Sequence, residues 1–576
     1  MNMLDVYQLL ITPLSPVHVG CGESYEPTNY VIEGGILYEF DTAAVTGTLD
    51  GADRKGLLEL ASRRPTTEMI QAVQKFFYER RRKLLAHALQ HVPVLPGVTA
   101  LYARRVGQTA SREADGRKVI NKLELDRTAY NPVSRQPVLF GSSLKGAIRT
   151  ALLDQVNAGR PAQESKGLHE FQGRLFRYYD RDNRHMHLER DPMRLVHVAD
   201  AVWNGERGLY ATHIRLAVNR KKAPVKDEQG RLRKSQAEAK DLYQVLECLP
   251  AWHYRAFAGQ LRVQYLTGLP KRLDGMVPAA DLRFDVARIA QACNAFYRHL
   301  LEEEVRQLRE RGFLDPRWDK TLQTLLQKAE EKFTRGEAFL LRVGRHSGAE
   351  SVTLNGVRKI RIMKGKDETP DYLPTAKTWW LAAEEKDQMH NLLPFGWLLV
   401  EVYPMQADVP EWNALKDVCT PYLEQARRLA EALQRKLAES AAAHREAEES
   451  RRVAEAERQR REEEERRKAQ EAAARQAWLA TLSPQMREVE DFKAKAQARK
   501  AQLGTGKEKA NTGIHTLAQQ LVKSALENPD WTVEEKRSLA EAIETWLPQL
   551  VERLDHKDNW KEARKKLKLA MLKGES

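Results

Sequence analysis

Short runs of apolar and β-branched residues punctuate the first four hundred positions, and between them lie stretches whose apolar residues recur every three or four places. The runs VYQLLI, GGILYEF, Arg194 to Trp203, LRVQYL and FGWLLVEVY read as strands. Strands alternating loosely with helical patterns favour an α+β or α/β class over residues 1 to about 410. In the stretch PVLFGSSLKGAIRTALL, Leu144, Ala147, Ile148, Ala151 and Leu152 fall on one stripe, predicting a helix anchored on a sheet just after a glycine turn. From Pro421 to Gln476 the pattern vanishes. Arg451 to Gln470 holds eight cations and six glutamates, with Val453 as its one large aliphatic residue. Opposite charges three and four apart support a solvated helix there, and without apolar seam positions a coiled coil is disfavoured. The pattern returns in the last hundred residues. Ile514, Leu517, Leu521 and Leu526 mark one amphipathic helix, and Thr532 with Glu535 forms a capping box ahead of Leu539, Ile543, Trp546, Leu547 and Leu550.

At 576 residues the chain exceeds one core, and roughly 100 to 200 residues per domain gives three or four units. The boundaries read as 1–190, 191–415, a charged spacer helix at 416–480, and a helical domain at 481–576. Two polar, basic regions, Arg104 to Asn131 and Asn219 to Ala239, read as loops or projecting hairpins. A formal charge of +14 favours an anionic partner such as nucleic acid. The four cysteines are scattered, which points to a reducing compartment and neither disulfide framework nor structural zinc. No run approaches the ~20 apolar residues of a membrane helix, so a cytoplasmic chain without cofactor, metal or membrane partner is expected.

Candidate chemistry gathers at three glycine turns. The GSSLKG helix start, with Ser142 or Ser143 as N-cap, offers backbone N–H groups and a positive dipole end. Lys145 and Arg149 stand a turn apart, and Gly146 permits close approach of another backbone. These features suit a phosphate, or else the glycines only turn the chain and the cations are solvated. The second turn, SPVHVGCG, holds His18, Gly20 and Gly22. The third, RVGRHSGAE, holds Arg345, His346 and Ser347, and the cations Lys359, Arg361, Lys364, Lys366 and Lys377 follow it beside Trp379 and Trp380. Cations interleaved with aromatics suit a single strand, stacked at its bases and neutralised along its backbone; paired tryptophans equally suit a core.

The opening LSPVHVGCGESYEPTNYVIEGGILYEFD, the PVLFGSSLKGAIRTALL helix, and RVGRHSGAESVTL with the later PFGW segment at Pro394 to Trp397 together resemble the RAMP superfamily of CRISPR effector proteins. Within it they look most like the subunits that cap the guide RNA 3′ end in type III-A (Csm) complexes. MRLVHVADA is similar to the strand that opens the family's second domain. The resemblance implies two tandem ferredoxin-like, RRM-related domains. It implies guide-RNA contacts at His18, Gly20, Gly22, Ser142, Ser143, Lys145, Gly146, Arg149, Arg345, His346 and Ser347, to which Lys359 and Arg361 are added from the cation cluster. It also implies other type III effector subunits as partners, above all a backbone RAMP subunit, and recruited host nucleases for guide maturation. Some relatives cut RNA, so an endoribonuclease is the alternative. A metal-independent cut requires a general base, with His18, His185, His187, His197 and His346 as candidates, against the structural role a histidine at a strand end can equally fill. The aspartate of the target-slicing subunits has no counterpart after the first strand, where Glu23 and Glu26 stand, with Asp41 further on.

Overall fold

The computed structural model describes residues 3–64, 66–107, 123–161, 167–235, 238, 242–266, 270–362 and 369–575. Lys364, Lys366 and residues 108–122 of the first basic region lie outside them. The chain divides into two units, Met1–Glu446 and Ala447–Ser576.

The first unit is built on two large sheets. The central sheet runs in the order Ala338–Arg342, Trp397–Pro404, Leu4–Pro13, Phe257–Gln264, Ala201–Trp203 and Val138–Leu139, and Val196–Val198 also pairs with Phe257–Gln264. All its pairings are antiparallel, and Leu9 lies between Gly259 and Val402. Residues Trp397 to Tyr403 are buried one after another, the pattern of a strand covered on both faces. The helices Gly141–Asn157 and Val286–Glu310 pack on one another and on the Ala338–Arg342 edge. Val286–Glu310 begins at Asp285, which caps the Arg288 N–H, and Pro316–Arg335 begins at Asp315 and stops at left-handed Gly336. The predicted strands are present, and the sheet draws its members from both predicted N-terminal domains.

The second sheet has the order Thr378–Ala383, His213–Lys221, Tyr243–Cys248, Leu125–Thr128 and Gly20–Tyr25. Leu125–Thr128 falls in the region read as a loop or hairpin: alternate burial of Leu125 and Arg127 makes it a strand despite its charge. The second polar region continues the His213–Lys221 strand and then turns, with a bridge between Lys226 and Leu232. A smaller sheet of Tyr30–Glu33, Ile36–Glu39 and Gln90–Pro93 carries its own cluster of Val31, Phe40, Phe76 and Phe77, against which Leu433 packs.

One helix spans Asn413–Thr481. Its first turns bury Leu415, Cys419, Ala430 and Leu433. Residues 447–478, in the second unit, are exposed throughout, with pairs such as Arg452–Glu448 at 3.0 Å and Lys468–Glu464 at 2.7 Å along the surface. The second unit then packs Pro484–Leu503, Gly513–Glu527 and Val533–Leu550 around Phe492, Leu539, Ile543 and Leu547. The Thr532–Glu535 capping box is formed in both directions, and Pro548 sits inside the last turn. No helix among the described residues is long and apolar enough to cross a membrane.

Candidate nucleic-acid interface

Two of the three glycine turns, 326 residues apart in sequence, lie against each other. The Arg345 N–H donates to the His18 carbonyl at 2.8 Å. Gly344 has φ +81°, and a Cβ there would stand 2.2 Å from the same carbonyl oxygen. The PFGW segment closes the knot: Gly396 N–H donates to Pro16 O at 2.9 Å, Val343 N–H to Gly396 O at 2.9 Å, and Trp397 N–H to Ser15 Oγ at 3.0 Å. The GSSLKG turn connects by backbone, since Ala129 N–H donates to Val19 O and Val138 N–H to Ala129 O. The Tyr297 hydroxyl donates to Ala147 O at 3.1 Å, tying the helix that follows this turn to the core.

His18 is 1% exposed, with Nδ1 2.7 Å from the Glu247 carbonyl. Burial holds its pKa below the ordinary value, against the opposing hydrogen bond to Glu247. Glu247 is buried too and accepts from the Thr212 hydroxyl and the Thr128 N–H. His18 is thus a post joining the second sheet to the turns. Gly20 and Gly22 are exposed beside it, at a register shift between Gly20 and Ser24 where Gly22 takes φ +83°. Beside Gly22, Glu23, Glu26 and Asp41 line a cavity of about 450 Å³, in which Glu39 binds Arg127 at 2.7 Å and Arg135 at 3.1 Å.

The GSSLKG helix starts differently from its sequence reading. It begins at Gly141 with Phe140 as N-cap and no side-chain cap, in place of Ser142 or Ser143. The Asp200 carboxylate accepts the Gly141 N–H at 2.7 Å and so already satisfies one donor of the helix start. The reason is a close crossing: a Cβ on Gly141 would lie 2.2 Å from Val198 O, so the Val196–Trp203 segment fills the space at the helix end. Ser142 and Gly146 are exposed, and Ser143 and Lys145 are half-buried. Burial draws the Lys145 ammonium down, Asp191 opposing and Arg149 adding to it. Arg149 is engaged, donating to Asp191 at 2.8 Å and to the Tyr178 hydroxyl at 2.9 Å.

At the late turn Arg345 is 41% exposed and reaches Asp126 at 2.7 Å. His346 takes φ +63°, which lays its ring on Trp380 at 4.8 Å and 20° and brings Nε2 to 3.0 Å from Gln244 Oε1. Burial, with help from Arg345 and His18, pulls its pKa down to about 3. Ser347 is buried, while Lys359 and Arg361 are exposed, Arg361 on a hairpin of Ile360–Ile362 and Asp371–Leu373. Trp379 is buried, and Lys377 stands 4.0 Å from Asp371. Of the remaining histidines, His187 binds Glu189 at 2.9 Å and His185 and His197 are exposed. Among the described residues no cluster of His, Cys, Asp and Glu suits a metal ion. The partners Asp126, Asp191, Gln244 and Glu247 carry no local motif, and Asp200 lies in the MRLVHVADA stretch with nothing there to mark its bond to Gly141; only the fold reveals these contacts.

One family model matches part of the chain: the RAMP superfamily matches residues 10–273, a span that holds the SPVHVGCG and GSSLKG turns and ends before the late turn and the PFGW segment. Two solved structures are similar at low identity. A chain of a cryo-EM structure of a Csm–crRNA–target RNA ternary complex of a type III-A CRISPR-Cas system is 16% identical, with 69% of this chain and 100% of that chain covered and a TM-score of 0.40. T. onnurineus Csm5 is 13% identical, with 68% and 99% covered and a TM-score of 0.38. The search of curated proteins finds no match.

Proposed function

We propose that the chain is a guide-RNA-binding subunit of a type III CRISPR effector complex, placed at the guide's 3′ end, where it supports maturation and assembly with a backbone RAMP subunit and visiting nucleases. The observation that carries this reading is the knot itself: the motifs of the RAMP resemblance meet through His18, Gly344 and Gly396. The similarity of residues 10–273 to the RAMP superfamily supports it. Exposed Ser142, Gly146, Arg345, Lys359 and Arg361, with half-buried Lys145, offer neutralising charge and close backbone approach but few base-reading groups. His18, Gly20, Gly22, Arg149, His346 and Ser347 serve the same interface by holding its loops in place. Binding without cutting is favoured because the two histidines inside the knot are neutral and engaged, His18 through Nδ1 and His346 through Nε2. The endoribonuclease alternative requires specific cleavage of RNA by the purified chain between pH 5 and 9.

The test is the salt dependence of single-stranded guide-RNA binding by the full chain. Lys145→Ala and Arg345→Ala together should lower the log–log slope by about 0.7 per lost phosphate contact. The Arg345 pair with Asp126 is half exposed, so breaking it costs little stability. An unchanged slope in the folded double variant overturns the assignment.

A further inference from the structure

Beneath the late glycine turn lies a cavity of about 610 Å³, bordered by Lys222, His346, Glu350, Arg358, Trp379 and Trp380. That volume falls in the ~300–1,000 Å³ range of sites that take a small ligand. It lies at an edge of the second sheet, where Thr378–Ala383 is the last strand. Successive residues of a strand face opposite ways, so Trp379 points to the main core while Trp380 carries the His346 ring.

The charges around the cavity are settled except at one residue. Lys222 binds Glu350 at 2.7 Å, and the same carboxylate accepts the Ala376 N–H at 2.8 Å. Arg358 has two carboxylates in its neighbourhood, Glu350 and Asp154, and both are occupied. Asp154 accepts the backbone and side-chain N–H groups of Asn355 at 2.6 and 3.0 Å. What remains to Arg358 are two long contacts from Nη2, to Glu350 O at 3.3 Å and Thr353 O at 3.5 Å. Its buried Nε has no partner. A guanidinium carries five donors in a fork that suits an oxyanion, and a half-buried one whose Nε is buried without a partner is costly to keep. Burial accordingly lowers its pKa.

A guanidinium that suits a phosphate and a flat aromatic stack that suits a base, both on the wall of one cavity, match the two halves of a nucleotide. A free carboxylate or inorganic phosphate would use the guanidinium and leave the aromatic wall idle. A neutral aromatic ligand would leave Arg358 unpaired. We propose that this cavity receives one nucleotide of the bound RNA, its phosphate on Arg358 and its base, turned out of the strand, against Trp380 and His346. The site rests on the guide-RNA reading and adds to it a place where one base is singled out.

The probe is a set of single-stranded oligoribonucleotides that bind the full chain, each carrying 2-aminopurine at one position. Emission should fall several-fold on binding at one position and change little at its neighbours. Trp380→Leu should remove that positional signal while the unlabelled strand still binds. Arg358→Gln, which keeps size and loses charge, should raise Kd about tenfold, the worth of one charge-assisted contact. Circular dichroism confirms that both variants fold. Quenching spread evenly over all positions, or a positional signal untouched by both variants, overturns the pocket while RNA binding stands. Failure of the unaltered chain to bind any of the strands overturns the RNA reading and the pocket with it.

Discussion

Single residues separate what holds the interface from what it presents. Gly344 and Gly146 are both glycines of the candidate motifs, yet their surroundings are opposite. Gly344 is left-handed, with the His18 carbonyl 2.2 Å from any Cβ, whereas Gly146 sits in the middle of an exposed helical turn with nothing within 4 Å. Gly344→Ala should therefore part the two turns and destabilise the first unit by about 1–3 kcal/mol, the usual cost of overpacking. Gly146→Ala should stabilise it by about 0.5–1 kcal/mol, because alanine is the better helix former. If a guide backbone approaches the helix at this point, the same substitution weakens RNA binding. Denaturant titration and a binding isotherm on the two variants check both halves, and a stabilised Gly146→Ala that binds RNA as tightly as the parent removes this residue from the interface.

At the scale of elements, the helix Gly141–Asn157 shows which features were legible in sequence. Its stripe of Leu144, Ala147, Ile148, Ala151 and Leu152 is buried as the periodicity predicts. So are the strands with long apolar runs and the capped helices of the C-terminal unit, because burial of a face leaves a period in the sequence. The start of the helix was not legible. Asp200 and the Val196–Trp203 segment fix it from some sixty residues away, and a distant partner leaves no local period. The same holds for Arg149, a surface cation by position and a tethered one by structure: its side chain is 22% exposed, opposite Asp191 at 16%. Arg149→Ala leaves Asp191 half-buried without its partner, so a loss of about 2 kcal/mol is expected. Lys145→Ala should leave stability nearly unchanged and act on RNA binding. Equal stability of the two variants by urea denaturation would show that Arg149 is free after all.

For the whole molecule, the two units have separate cores, one around the central sheet and one around Phe492 and Leu547, so calorimetry should show two transitions. Their pH dependence should differ. In the first unit burial lowers the pKa of His18, of His253 to about 4, and of His346 to about 3. These groups stay neutral in the native chain while their unfolded counterparts take up protons below pH 6.5. The unfolded state thus binds more protons throughout that window. Stability is full above pH 6.5 and is lost as the pH falls, by about 2 kcal/mol at pH 5 for each of His253 and His346. Glu247 works the other way, because burial raises its pKa and acidification relieves the cost of its charge, but one such group is set against five histidines, His91 and His213 being lowered by burial as well. The second unit holds one histidine of this kind, His515, whose Nδ1 accepts the Asn511 N–H at 2.8 Å. Between pH 7 and pH 5 the first-unit transition should therefore drop the further of the two. His346→Gln, which keeps a hydrogen-bonding group near Gln244 and removes the titration, should flatten that drop. A first-unit transition that holds steady or rises on acidification would mean that the buried imidazoles are not neutral in the native fold.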